Sequence, residues 1–162
     1  MHTQLKPDRP QHHRFLLDCR PRDVVTIRNP TPLPNIAEAI EFVTATPLCS
    51  RIDLTDGYYN IRMDSHLGTH TTCLCYMRHC RCGIMQQGDC NAPAPMVRAM
   101  HEIFIDLMCQ DLIIYIYDII ISGRNYKQHV EALRKVLQCL QDQQFWLQQS
   151  KCQFLTKRFN ML

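Results

Sequence analysis

The run Leu112-Ile113-Ile114-Tyr115-Ile116-Tyr117-Asp118-Ile119-Ile120-Ile121 constrains this chain more than any other stretch, because it is apolar yet holds one carboxylate near its middle. Ten residues are too few to cross a bilayer, which takes roughly 20 in a helix. Their β-branched and aromatic character favours strand over helix. An ionised Asp between two buried strand arms is costly unless a metal, a partner or water compensates it. A hairpin whose tight turn presents Tyr117 and Asp118 at its tip meets both demands, with the arms in the core. A buried strand whose Asp caps a neighbouring element stays open as the alternative.

The rest of the composition sets the frame for that hairpin. A chain of 162 residues with 46% hydrophobic and 20% charged content is globular and most simply one domain. A net charge of +3 permits nucleic-acid binding without arguing for it, and the basic bias falls early, on Lys6, Arg9, Arg14, Arg20, Arg22 and Arg28. Met1 opens a polar, proline-containing stretch with no apolar core, so no secretory signal is expected, nor any membrane span. The chain is therefore expected to be intracellular, cytosolic or nuclear. Its ten cysteines are expected to be reduced thiols, not a disulfide framework.

Taken in order, residues 1–13 read as a loose polar leader and Arg14-Phe15-Leu16-Leu17-Asp18 as a short strand. Residues 20–34, with four prolines, read as an extended connector. Asn35-Ile36-Ala37-Glu38 has the form of a capping box, which predicts a helix over 36–45 with Ile36, Ile40 and Val43 inward, stopped by Thr46-Pro47. Residues 50–54 should be a strand, 55–57 a turn, 58–63 extended again, and 71–85 a strand pair. Residues 88–95 form a loop feeding a helix with the stripe Met96, Ala99, Met100, Ile103, Leu107, Met108. A second helix over 128–141 should bury Val130, Leu133, Val136, Leu137 and Leu140, and a strand segment is expected over 145–154. This order predicts an α+β domain with helices on one face of an antiparallel sheet.

Several of these segments together resemble the reverse transcriptase of gypsy-type LTR retrotransposons, fungal elements in particular. Arg51-Ile52-Asp53-Leu54-Thr55-Asp56-Gly57-Tyr58 is similar to that family's first catalytic motif. Gln87-Gly88-Asp89-Cys90-Asn91-Ala92-Pro93-Ala94 resembles its template- and nucleotide-positioning loop. Tyr115-Ile116-Tyr117-Asp118 falls where the family has Tyr-x-Asp-Asp. Ser150-Lys151-Cys152-Gln153-Phe154 resembles the Lys-Cys-x-Phe segment after the next helix, and Pro32-Leu33-Pro34 with residues 14–18 match upstream segments.

The resemblance implies the fingers and palm of a polymerase, with fingers at about 14–48 and 64–86 and palm at about 49–63 and 87–162. It implies deoxynucleotide addition to a primer on an RNA or DNA template by two-metal phosphoryl transfer, the ions about 3.5–4 Å apart. Mg²⁺ or Mn²⁺ would be held by Asp53, Leu54 and Asp118, since such ions take hard oxygen ligands. Tyr58 would exclude a ribose 2′-hydroxyl, Gln87 and Gly88 would contact the deoxynucleoside triphosphate and template, and Arg14 would hold the triphosphate, a task suited to a guanidinium. Protein partners are not implied, and no membrane is.

Departures from the pattern matter as much. Tyr117 stands where the family has the first Asp of its adjacent pair, and a phenol of pKa about 10 is uncharged at neutral pH. Asp56, three residues after Asp53, is not expected to replace it. Cys19 replaces an aromatic residue, Asp23 an Asn, and Pro95 falls at a helix start. The family continues past the point equivalent to Leu162 into a primer-gripping segment and thumb, so a truncated copy of impaired activity is expected. Two other classes stay in view. Cys73, Cys75, His79, Cys80 and Cys82 could make a zinc-binding interaction module, although their spacing is not the usual two-residue one. A non-catalytic remnant that holds nucleic acid through its basic early segment is the third, with binding that weakens steeply as salt rises.

Overall fold

A computed structural model describes residues 2–6, 9–32, 35–66, 71–75, 78–108, 111–116 and 118–156. The chain divides into two compact units, residues 1–30 with 58–93, and residues 31–57 with 94–162.

The first unit carries two antiparallel ribbons. β1 (His2–Lys6) pairs with β2 (Arg9–Leu16), and β4 (Thr72–Cys75) pairs with β5 (Arg78–Arg81). The expected loose leader is thus mostly strand. Its polar alternation carries no hydrophobic signal, and Pro10 is tolerated because both strands of a two-stranded ribbon are edges. The expected connector is interrupted by the four-residue helix α1 (Arg20–Asp23). Residues 58–63 are not extended throughout. A 3₁₀ turn covers Gly57–Asn60, and only then does Arg62 bridge Ile84, with the Met85 amide donating to the Ile61 carbonyl.

The second unit is built on a four-stranded antiparallel sheet of order β6-β7-β3-β8. Its strands are β3 (Leu48–Ile52), β6 (Leu112–Tyr115), β7 (Asp118–Gly123) and β8 (Gln153–Thr156). Register sets the core. Ile52 lies opposite Ile119, Ser50 opposite Ile121, and these face the same way as Leu112 and Ile114, all of them fully buried. Helix α4 (Tyr126–Asp142) covers that face, with His129, Ala132, Val136 and Leu140 inward. Helix α2 (Ile36–Thr44) packs against β6 and β7, its cap formed as expected by Asn35, whose side chain accepts from the Ala37 amide at 3.0 Å. Ile40, expected inward, is exposed, and Ala39 takes the buried position. Helix α3 (Pro93–Phe104) buries Met96, Val97, Met100 and Phe104. Pro95 does not interrupt it, because the first-turn amides of a helix have no intrahelical acceptor to lose.

The strand expected over 145–154 is instead an irregular strap. Leu147 bridges Leu54, a 3₁₀ turn covers Gln149–Lys151, and β8 follows. Among the described residues no helix is long and apolar enough to cross a membrane.

Candidate active site

Tyr115 pairs with Asp118, so β6 and β7 are joined by a two-residue connection that begins with Ile116. Such loops need left-handed backbone to match the strand twist, and Ile116 adopts it at φ 59°, a costly choice for a β-branched residue. Asp118 is therefore the first residue of β7, at the end of the sheet, as the hairpin reading expected. Tyr117 itself lies outside the described residues.

Asp53 follows the last residue of β3. Since Ile52 lies opposite Ile119 in an antiparallel pair, continuing the register by one residue sets Asp53 beside Asp118. The sheet thus brings the two expected carboxylates to one end of adjacent strands, on one face. That face also holds Arg51, whose Nε lies 3.6 Å from Asp118 Oδ1. The Asp118 oxygen is buried and has no hydrogen-bond donor among the described residues.

Charge and burial act on Asp118 together. Burial, the strongest influence, raises its pKa above the ordinary 3.8. Arg51 opposes this, Asp53 reinforces it, Lys151 opposes it, and the net direction is upward. A carboxylate whose ionisation the neighbouring Asp53 disfavours, and whose buried oxygen has no donor among the described residues, fits a divalent cation, which prefers such oxygens.

The backbone around Asp53 is clamped by the strap. The Gln148 amide donates to the Asp53 carbonyl at 2.9 Å, the Thr55 amide donates to the Trp146 carbonyl at 2.7 Å, and the Cys152 thiol reaches the Asp53 carbonyl at 3.8 Å. Burial pushes the Cys152 thiol up, which keeps it a donor. Leu54, the third expected metal residue, is buried and bridged to Leu147 within this clamp.

The other expected site residues belong to the first unit. Tyr58 is the second residue of the 3₁₀ turn, and Gln87 and Gly88 follow Met85, which is bonded to Ile61. The antiparallel register therefore puts Tyr58 and the Gln87-Gly88 pair at the same end of that ladder. Gly88 has φ 98°, a conformation that favours glycine, so its presence has a backbone reason besides any contact it makes. Arg14 lies in β2 opposite Gln4, with its side chain outside the described residues.

The proposed zinc set does not assemble among the described residues. Cys73 lies opposite Cys80 on the β4–β5 ribbon, and the side chain of Cys75 is outside the described residues. The one cluster of metal-type ligands found among the described residues is Asp23, Asp89 and Cys90. It is occupied internally: Asp23 accepts from the Cys90 amide, Asp89 from the Asn91 amide, and Arg22 pairs with Asp89 at 2.7 Å.

A family model described as "Reverse transcriptase (RNA-dependent DNA polymerase)" matches residues 5–162. The chain belongs to the reverse transcriptase family. It is 31% identical over 150 residues to the "Retrovirus-related Pol polyprotein from transposon 297" of Drosophila melanogaster, covering 93% of this chain and 14% of that polyprotein. It is 24% identical over 126 residues to the "RNA-directed DNA polymerase homolog" of Oenothera berteroana, covering 76% of this chain and 89% of that protein. Its fold is that of the foamy viral protease-reverse transcriptase solved in complex with double-stranded DNA, with TM-score 0.84 and 19% identity over 99% of this chain and 28% of that one. The same viral protein solved with an RNA/DNA hybrid gives a TM-score of 0.80 at 19% identity, over 99% of this chain and 21% of that one. Reverse transcriptases as a family use divalent metal ions, and this domain has their fold.

Arg51 and the strap went unassigned in the sequence reading. Arg51 was accessible to it: two residues before Asp53 on a strand means the same face. The strap was not, because its bonds to Asp53 and Thr55 are made by backbone amides and carbonyls nearly a hundred residues away, on which sequence has no purchase.

Proposed function

We propose that this reverse transcriptase domain is of the gypsy-type LTR-retrotransposon kind, with fungal elements among its relatives, and that its site is laid out for template-directed deoxynucleotide addition but impaired by Tyr117. In this reading the fingers are about residues 14–48 and 64–86 and the palm about 49–63 and 87–162, a division that differs from the two compact units, since 31–48 fall in the second unit and 58–63 and 87–93 in the first. What supports the reading above all is that Asp53 and Asp118 sit at one end of adjacent strands, coupled through their charges. Asp53, Asp118 and Leu54 would hold Mg²⁺ or Mn²⁺, two ions if the enzyme is active, and these would supply charge to activate the primer 3′ oxygen and stabilise the departing pyrophosphate.

The chain's own groups divide the remaining work. Arg14 binds the triphosphate, Tyr58 screens the sugar, and Gln87 with Gly88 orients the nucleotide against the template. The strap fixes the Asp53 carbonyl, so the carboxylate leaves the backbone at one angle. Tyr117 puts a neutral, bulky phenol where a negative oxygen is needed, which removes one unit of charge from the cation site.

The test is primer extension on an RNA template with Mg²⁺ or Mn²⁺, comparing the chain with its Tyr117→Asp variant. Extension by the variant alone is the expected result. Equal extension by both would show that Asp53 and Asp118 suffice and would overturn the impairment. Extension by neither, from folded protein, would place the fault elsewhere than Tyr117.

A further inference from the structure

Asp53 and Asp118 do not face solvent alone. Arg51, on the same face of β3, has its Nε 3.6 Å from Asp118 Oδ1, with the Arg51 side chain 14% exposed and that of Asp118 8%. An ionised carboxylate this dry needs a charge partner held beside it, and a guanidinium supplies one that does not deprotonate. Lys151, at the end of the strap's 3₁₀ turn, is near enough to act on Asp118 as well. Asp118 therefore has two cations of the chain itself acting on it, Arg51 and Lys151. The residue before Asp118 in sequence is a tyrosine and adds no carboxylate.

We propose that Arg51 is a resident counter-cation of the Asp53–Asp118 pair, holding Asp118 when no metal is bound and lowering the site's affinity for a divalent cation by competing for the same carboxylate. The proposal rests on the reading of these acids as a metal site. It makes Arg51 a positioning residue, and it ties cation binding to folding. Anything that removes the guanidinium leaves a buried charge that an added cation can then satisfy.

The experiment measures Mn²⁺ binding to the full chain by calorimetry, and its thermal melting with chelator and with saturating Mn²⁺. The chain is compared with Arg51→Met, which keeps the apolar stem, and Arg51→Lys, which keeps the charge. Arg51→Met should bind Mn²⁺ on the order of tenfold more tightly, as removal of a like charge a few ångströms from the ligand predicts. It should melt lower than the parent in chelator and recover most of the difference in Mn²⁺. Arg51→Lys should keep the parent's affinity within about a factor of two, on the same charge argument. If Arg51→Met fails to fold in chelator yet folds with Mn²⁺, the proposal is supported. Equal or weaker Mn²⁺ binding by Arg51→Met, with binding by the parent intact, overturns the proposal and leaves the metal reading standing. A several-fold gain by Arg51→Lys overturns it too, since charge would then not be the cause. No Mn²⁺ binding by any of the three removes the metal reading and the proposal with it.

Discussion

His129 is a fully buried titratable group whose partner can be named. Its Nε2 lies 2.8 Å from Ser50 Oγ, and that same oxygen accepts the Leu155 amide at 3.1 Å, which leaves the hydroxyl proton for the imidazole. Nδ1 has no hydrogen bond of good geometry among the described residues, although the Ser122 backbone is near enough to favour its protonated form. Burial outweighs that and pushes His129 below its ordinary 6.5. The sign follows directly. The unfolded chain takes up a proton near pH 6.5 and the folded chain resists it, so the stability is present above that pH and is lost as pH falls towards the depressed folded value. Melting temperature should therefore drop between about pH 7 and pH 5 more steeply in the parent than in His129→Gln, because only the parent carries this proton linkage. Parallel slopes would show that the imidazole is not the linked group. The raised Asp118 works in the opposite direction, since there the folded state takes the proton first. The sequence reading passed over His129 because helical periodicity sorts residues by apolarity, and a histidine on the inner face reads as outer.

Elements came through the sequence reading better than their boundaries or their inward faces. The β6–β7 hairpin, the Asn35 cap and the long helix were legible because each has a local cause: β-branched content, a side-chain acceptor and a 3.6-residue period. The β1–β2 ribbon and the 3₁₀ turn Gly57–Asn60 were not, since one is polar throughout and the other follows from the left-handed Asp56 at φ 48°. The contact between β7 and α4 belongs with the illegible features. A Cβ added at Gly123 would lie 2.5 Å from His129 Cβ, 2.7 Å from its Cα and 2.9 Å from its N, so the strand end and the helix start touch backbone to backbone. Nothing but glycine fits, and the reason is space, visible only once both elements are placed. Gly123→Ala should cost about 1–3 kcal/mol, the usual penalty for overpacking where backbone cannot yield. Chemical denaturation would show this as a lower midpoint at unchanged slope. An unchanged midpoint would mean that α4 shifts freely on the sheet, in which case the Ser50–His129 bond should weaken too.

Over the whole chain the formal charge is unevenly shared. The unit of residues 1–30 and 58–93 carries nine Lys and Arg against five Asp and Glu, and the other unit nine against ten. The net charge of +3 looked uninformative because it averages these two. If this domain holds an RNA/DNA hybrid, its phosphate contacts should come chiefly from the first unit, where Arg78 and Arg81 are exposed on β5. Binding and chemistry then separate. Tyr117→Asp, in the other unit, should leave hybrid affinity within about a factor of two, whereas its expected effect on extension is the one argued above. Each lost phosphate contact lowers the slope of log affinity against log salt by about 1, so Arg78→Ala with Arg81→Ala should reduce it by about 2. The measurement is fluorescence anisotropy of a labelled hybrid over a salt series. An unaltered slope in the double variant would take β5 out of the interface. A slope near zero in the parent would mean that the basic unit is only a solvated face, and the nucleic-acid reading of the first unit would fail even if the carboxylate pair binds its metal.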